Sequence, residues 1–352
     1  MYIYILDRSS EKKIEDYINS QNNQMIMAQH TIEWRNALLE METDEAHYIV
    51  VEKDQNIIAY MPLFKFHSKR GHILQSSPFS ASYGGVITNA EDDEKHEIFK
   101  SIFQYIFSNQ KLMKETILFT IVTSPFSKEI DLYKQYFQYD YKNDNFFQYL
   151  DLTSYEKNQN SKFRNNLKRN LQKAKTNRFN FSISNNVNDT EQWYDIIQSR
   201  FEEMRINSLL PIKYYYSLVK NLFPIGKGLF FHIFQANEMV ASSLCFFSSK
   251  YEVDLFLRAV KTDYMKLQAG TFLDFHTIMY FKKNNFRFLN WQSLPEMNSS
   301  SFQYKKNWGC QTDYHYYLTK KMNGFNNFYP VSLNEIIKAY PYHYVMPYDE
   351  LK

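Results

Sequence analysis

Two stretches of the chain repeat one pattern, and that repeat restricts the fold more than any other feature. His47–Phe64 is an apolar run, a polar turn at Asp54–Asn56 and a second apolar run. Leu229–Phe246 has the same shape, with Asn56-Ile-Ile-Ala against Glu238-Met-Val-Ala and Phe64 against Phe246. Each reads as a hairpin of two half-buried strands. The flanks match as well. Helical spacing precedes each hairpin (Trp34, Ala37, Leu38, Met41; Trp193, Ile196, Ile197, Phe201, Met204). A strand, a helix and a buried strand follow: Tyr83–Thr88, Glu97–Phe107 and Thr116–Val122 in the first half, Tyr251–Arg258, Phe272–Phe281 and Phe286–Gln292 in the second. A repeat of about 180 residues is too long for a solenoid and implies a duplicated domain. The order of elements predicts an α+β fold, an α/β unit with a mixed sheet, because a crossover through a helix favours a parallel neighbour. A length of 352 residues suits two such units.

Composition removes several alternatives. The chain has only 8 glycines, against an average usage of about 7% of residues. No GxGxxG, Walker A or GxSxG can be drawn through Gly71, Gly84, Gly85, Gly226, Gly228, Gly270, Gly309 and Gly324. Phosphate-cradling loops need glycine for close backbone approach, so Rossmann dehydrogenases, P-loop NTPases, protein kinases and α/β-hydrolases lose ground. A net charge of +3 selects neither nucleic acid nor an anionic membrane. Cys245 and Cys310 lack metal-ligand spacing and suit a reducing compartment. No HExxH, CxxC or dense Asp cluster occurs, so no metal site is expected. No transmembrane run or secretory segment is read. These features together predict a soluble, cytoplasmic protein.

One charge run stands out. Lys157, Lys162, Arg164, Lys168, Arg169, Lys173, Lys175 and Arg178 fall in a stretch with no acidic residue. Phe163, Leu167, Leu171 and Ala174 recur within it at helical spacing. It reads as a basic helix, either a connector with a solvated face or a surface that meets phosphates. In Tyr251–Arg258, strict alternation would put Asp254 and Arg258 on one face, as a base with its orienting partner or as an ion pair. His232 lies in an apolar strand and reads as a core histidine; His276 is another possible base.

Three segments resemble the GNAT superfamily of N-acyltransferases in its tandem branch, the FemAB-like and CelD-like enzymes. They are Ser77-Pro-Phe-Ser-Ala-Ser-Tyr83-Gly84-Gly85, the basic helix Phe163–Ala174, and Tyr304-Lys305-Lys-Asn-Trp308-Gly309, which is similar to an F-K-x-x-[FW]-G signature. The match has departures: Asn290-Trp291-Gln292 stands where the family often has Asp and Gly, and Lys266–Thr271 keeps only part of the pyrophosphate loop. The resemblance implies an N-terminal unit at 1–155 on the acceptor side, a basic connecting helix at 156–185, and a donor-side unit at 186–352 that carries a Tyr-rich tail.

It also implies site residues. Backbone N–H groups at Lys266, Gln268, Ala269, Gly270 and Thr271 would hold the donor pyrophosphate. Lys305 would stabilise a phosphate or a developing oxyanion; Tyr304 beside it is a candidate to protonate a thiolate, and Asp254, read from the strand alternation, is the candidate base. Ser80, Tyr83, Gly84, Arg164, Arg258 and Trp291 would contact substrate. The implied reaction moves an acyl group, with acetyl expected, from acyl-CoA (acetyl-CoA) as co-substrate. The acceptor would be an amino group of a cell-envelope sugar precursor, nucleotide- or lipid-linked. Two alternatives stand beside it: an aminoacyl-tRNA-dependent transferase acting on a peptidoglycan precursor, and a non-catalytic duplicate that binds glycans or a partner.

Overall fold

The two hairpins form as expected, and both turn on two residues with positive φ: Asp54 (51°) and Gln55 (66°), Ala236 (47°) and Asn237 (70°). That mirror-image turn matches the twist of the flanking strands, and this chain builds it without glycine. The computed structural model describes residues 1–7, 10–21, 26–41, 45–79, 83–155, 161–294, 297–328 and 332–347. The strands of the first half are β1 (Tyr2–Ile5), β2 (Glu45–Lys53), β3 (Asn56–Phe66), β4 (His72–Gln75), β5 (Ile87–Thr88), β6 (Thr116–Val122) and β7 (Tyr141–Asp151). Those of the second are β8 (Asn180–Ser184), β9 (Gly228–Gln235), β10 (Glu238–Phe246), β11 (Glu252–Val260), β12 (Phe288–Leu294) and β13 (Gln311–Lys321).

The strand expected over Tyr83–Thr88 is a correction. Only Ile87–Thr88 is a strand, and the strand that follows the first hairpin is instead β4. Gly84 makes a single bridge to Thr123, and Gly85 turns the chain away at φ +89°.

All strands join one 13-stranded sheet in the order β1-β2-β3-β4-β6-β13-β7-β12-β11-β10-β9-β8, with β5 on β3. Its two arms mirror each other, and its centre shows an exchange. The last strand of each half lies against the other half: β13 pairs with β6, and β7 with β12, both antiparallel. The two exchanged strands pair over nine residues, from Gln311↔Tyr149 to Thr319↔Tyr141. Neither half is a complete sheet without the other's chain.

On one side, the helix Asp92–Ser108 covers β2, β3 and β6, and Ala269–Lys283 covers β9 to β12. Each stands where a helix was expected after its hairpin, and the former opens on Asp92, Asp93 and Glu94, favourable at a helix N-terminus. On the other side, the helix Ile32–Leu39 of the first half docks on the second. Trp34 meets Phe246 and Phe256 edge-on at 5.4 and 5.7 Å, and Ser217 donates to the Ala37 carbonyl at 2.9 Å. The Tyr-rich tail packs on the first half, with Tyr340, Val345 and Met346 against Ile73, Ile117 and Leu118. Among the described residues no helix is long and apolar enough to cross a membrane.

Leu318 sits fully buried in the exchanged strand β13 among Phe119, Ile121 and Phe137. Leu318→Ala is expected to cost about 2–5 kcal/mol, read by urea denaturation. A loss comparable to a surface substitution would show that β13 is not part of the folded core.

Candidate active site

The sheet opens between β11 and β12. β11 and β12 pair in parallel only at Glu252↔Phe288, Val253↔Leu289 and Asp254↔Asn290, although both strands run on. Two bulges flank the opening. β11 carries an extra residue against β10 between Leu257 and Leu255, and β12 an extra residue against β7 between Asn290 and Ser293. Bulges bend a strand and end local pairing. The two strands part beyond Asp254, and their facing backbone groups are released from each other. In the first half the corresponding gap is stitched shut: Ser76 N–H donates to the Thr120 carbonyl at 3.0 Å, Val122 N–H to Ser76 Oγ at 2.9 Å, and Gly84 bridges Thr123.

A cleft of about 580 Å³ occupies the opening. It gathers Gln268, Gly270 and Thr271 from the start of the helix Ala269–Lys283, Arg258 from β11, Trp291 from β12, and Tyr304 and Lys305 from the helix Ser300–Asn307. Residues scattered over some fifty positions, grouped in sequence only by resemblance, therefore share one wall.

The helix Ala269–Lys283 begins without a capping side chain, after Gln268 in the left-handed region at φ 70°. Its first-turn N–H groups lack intrahelical acceptors and present a positive dipole end to the cleft. Gly270 has a second reason to be glycine: a Cβ there would lie 2.7 Å from the Arg258 guanidinium. Arg258 is fixed by Asp274, Nε to Oδ1 at 2.6 Å and Nη2 to Oδ2 at 2.7 Å. Tyr304 donates its hydroxyl to the same Asp274 Oδ2 at 2.6 Å. Burial and the Asp274 charge push the Tyr304 phenol upward, so its proton is committed to Asp274.

The expected face-sharing of Asp254 and Arg258 does not occur. The bulge at β11 inverts the alternation, so that Arg258 faces the helix side and Asp254 the opposite side. Asp254 is fully buried and accepts from Gln29 Nε2 at 2.6 Å and from Gln292 Nε2. Burial pushes its carboxyl up to about 7. It does not line the cleft but steadies Gln292, which sits at φ 62° in the extra position of β12. Tyr83, buried rather than exposed to a ligand, donates to Gln292 Oε1 at 3.2 Å. Gly84 is where a Cβ would strike the Ser76 carbonyl at 2.6 Å.

Lys305 lies at the foot of the opening, 9% exposed. Its Nζ donates to the carbonyls of Trp291 and Gln292, and an ammonium has three donors. It is held by two neutral carbonyls instead of a carboxylate. Burial brings its pKa down to about 8.

The remaining expected residues lie elsewhere. Lys266 is exposed and outside the cleft lining, and Arg164 is exposed on the basic helix Ser161–Thr176. Ser80 lies outside the described residues. His232 is a core histidine, bonded to Ser242 and Asp189 at 2.8 and 3.3 Å. His276 packs on Phe272 and Phe181 away from the cleft. Asp274, Gln29 and Gln292 had no place in the expected site. Gln292 alone carried a signal, standing where the resembling family has another residue type.

No protein-family model matches the chain, and no curated protein sequence is similar to it. Solved structures are similar in fold. One is FemX (TM-score 0.69, 9% identity, 90% of this chain and 97% of that one). A second is L-PGS from Bacillus licheniformis (0.56, 12%, 93% and 95%). A third is a tandem GNAT protein from the clavulanic acid biosynthesis pathway (0.51, 8%, 91% and 98%). The fold is the tandem GNAT-like, FemAB-like one.

Two outcomes test this geometry. Asp274→Asn strips Arg258 of its carboxylate and should cost about 3–5 kcal/mol in a urea titration; a near-neutral change would contradict the pairing. Lys305 has a folded pKa near 8, below the 10.5 of a free lysine. Its buried charge therefore costs stability below pH 8, and the cost is relieved as pH rises from about 8 to 10.5. Lys305→Met should be more stable than the parent at pH 7, and the difference should shrink over that window. A pH-independent difference would contradict the burial.

Proposed function

We propose that the chain is an N-acyltransferase that moves an acyl group from acyl-CoA to an amino group of a cell-envelope sugar precursor, in the cytoplasm. The observation that carries this reading is Lys305: a buried cation bonded to carbonyls at the foot of a split sheet, facing an uncapped helix N-terminus. Negative charge that appears in that split meets a pre-oriented cation in a low-dielectric site.

In this reading the N–H groups of Ala269, Gly270 and Thr271 bind donor phosphate. The backbone edges of β11 and β12 beyond Asp254 hold the extended arm of the donor. The bound thioester supplies an electrophilic carbonyl carbon. The neutral amine of the acceptor forms the new N–C bond, the C–S bond breaks, the amine gives up its proton and the thiolate takes one. Lys305 Nζ stabilises the oxyanion between these events, and the Trp291 and Gln292 carbonyls aim it. Arg258, Asp274 and Tyr304 form the rigid wall that holds the helix start against β11. Among the described residues the corresponding gap of the first half is closed by Ser76 and Gly84, and the first half braces Gln292 through Tyr83 directly and through Gln29 on Asp254.

The aminoacyl-tRNA reading keeps one supporting observation. Arg164, Lys168, Arg169, Lys173 and Lys175 are exposed on the basic helix, which packs beside the cleft through Phe163 on Trp308 and Asn177 on the Leu267 carbonyl. Polyanion binding there would weaken steeply with salt.

The test uses thiol release from acyl-CoA in the presence of amino sugars and their UDP derivatives. Lys305→Ala should lower kcat by roughly 10²–10³ with CoA affinity retained, and the parent's rate should fall as pH rises through about 8 as Lys305 loses its proton. An unchanged kcat in the variant would sink the assignment.

A further inference from the structure

The donor cleft has a neighbour. A smaller cavity of about 100 Å³ adjoins it, and Phe256 and Leu257 line both. These two residues form the bulge of β11, where the strands have just parted and where a thioester carbonyl held by the free backbone would lie. The rest of the small cavity is Phe201 at the end of the helix Asp189–Glu203, the loop Ser208-Leu209-Leu210, and Tyr215. It therefore lies on the face opposite the helix Ala269–Lys283, beyond the split as seen from the donor's phosphate end.

Its chemistry is that of a hydrocarbon seat. Its side chains are mostly hydrocarbon (Phe201, Leu209, Leu210, Phe256 and Leu257, with Ser208 and Tyr215), its surface is more apolar than polar, and the Leu210 carbonyl accepts from Tyr194 at 3.0 Å. A sugar placed there would lose its hydrogen bonds to water without replacement, at a cost of roughly 1–3 kcal/mol per group. An enclosed apolar cavity of about 150 Å³ accepts the six carbons of benzene. In proportion, about 100 Å³ accommodates about four carbons.

We infer that this cavity seats the tail of the transferred acyl group, and that the preferred donor carries about four apolar carbons beyond its thioester carbonyl. The inference rests on the acyl-CoA reading and replaces the acetyl group expected from sequence with a longer one. An acetyl group would leave the seat empty. A long fatty chain would exceed it.

Calorimetric titration of the full chain with CoA, acetyl-, butyryl-, valeryl- and octanoyl-CoA tests it without needing the acceptor. Affinity should rise roughly fourfold per carbon from acetyl- to valeryl-CoA and gain nothing more at octanoyl-CoA. Ser208→Phe, on an exposed loop, should abolish the gain by filling the seat; Leu209→Ala should move the optimum to a longer chain. Equal affinity for acetyl- and valeryl-CoA in the parent, or a gain that survives both variants, overturns the inference while leaving the acyl-CoA reading intact. No binding of CoA or any of its thioesters overturns both.

Discussion

The pairing of β7 with β13 is the contact on which the rest depends. Each strand is the last of its half, and each completes the other half's sheet, so neither unit closes its core alone. A strand left without this partner would expose a row of unpaired backbone groups. The exchange also sets the site. β12 meets β7 on its outer side, and the register slip between Asn290 and Ser293 arises against β7, a strand from the first half. That slip places Gln292 in the left-handed conformation and turns the Trp291 and Gln292 carbonyls onto Lys305. The chemistry assigned to the second half thus stands on backbone from the first.

The two arms of the sheet have matching strand orders, but among the described residues they differ at the gap: it is open between β11 and β12. In the first arm Ser76 and Gly84 close the equivalent gap, and the tail packs over it through His343 on Gln75 at 2.8 Å. A closed gap offers no free strand edge. The first half retains the fold and contributes Gln29 and Tyr83, which brace Gln292 directly or through Asp254.

Much of this was legible in the sequence. Two apolar runs about a polar turn located each hairpin, apolar helical spacing located the helices before them, and the resemblance of short motifs brought Gly270, Tyr304 and Lys305 together. What stayed hidden has physical causes. Alternation presumes an unbroken strand, so the bulge at β11 reversed the partners of Asp254 and Arg258. Asp274 looked like one polar residue in an apolar helix until Arg258 reached it from a neighbouring strand. Gln29 and Asp254 meet across 225 residues, a separation no local pattern reports. The exchange of β7 and β13 is invisible because a strand's residue pattern reads alike whichever neighbour it pairs with. Left-handed positions filled by Gln268 and Gln292 instead of glycine removed the usual turn signals.

The most direct test of the central claim is a crystal structure with a non-reacting S-alkyl thioether analogue of acyl-CoA. The ligand is expected to thread between β11 and β12 beyond Asp254, with phosphate at the N–H groups of Ala269 to Thr271 and the sulfur end beside Lys305. A ligand bound on the first half, or outside the β11–β12 opening, would contradict it.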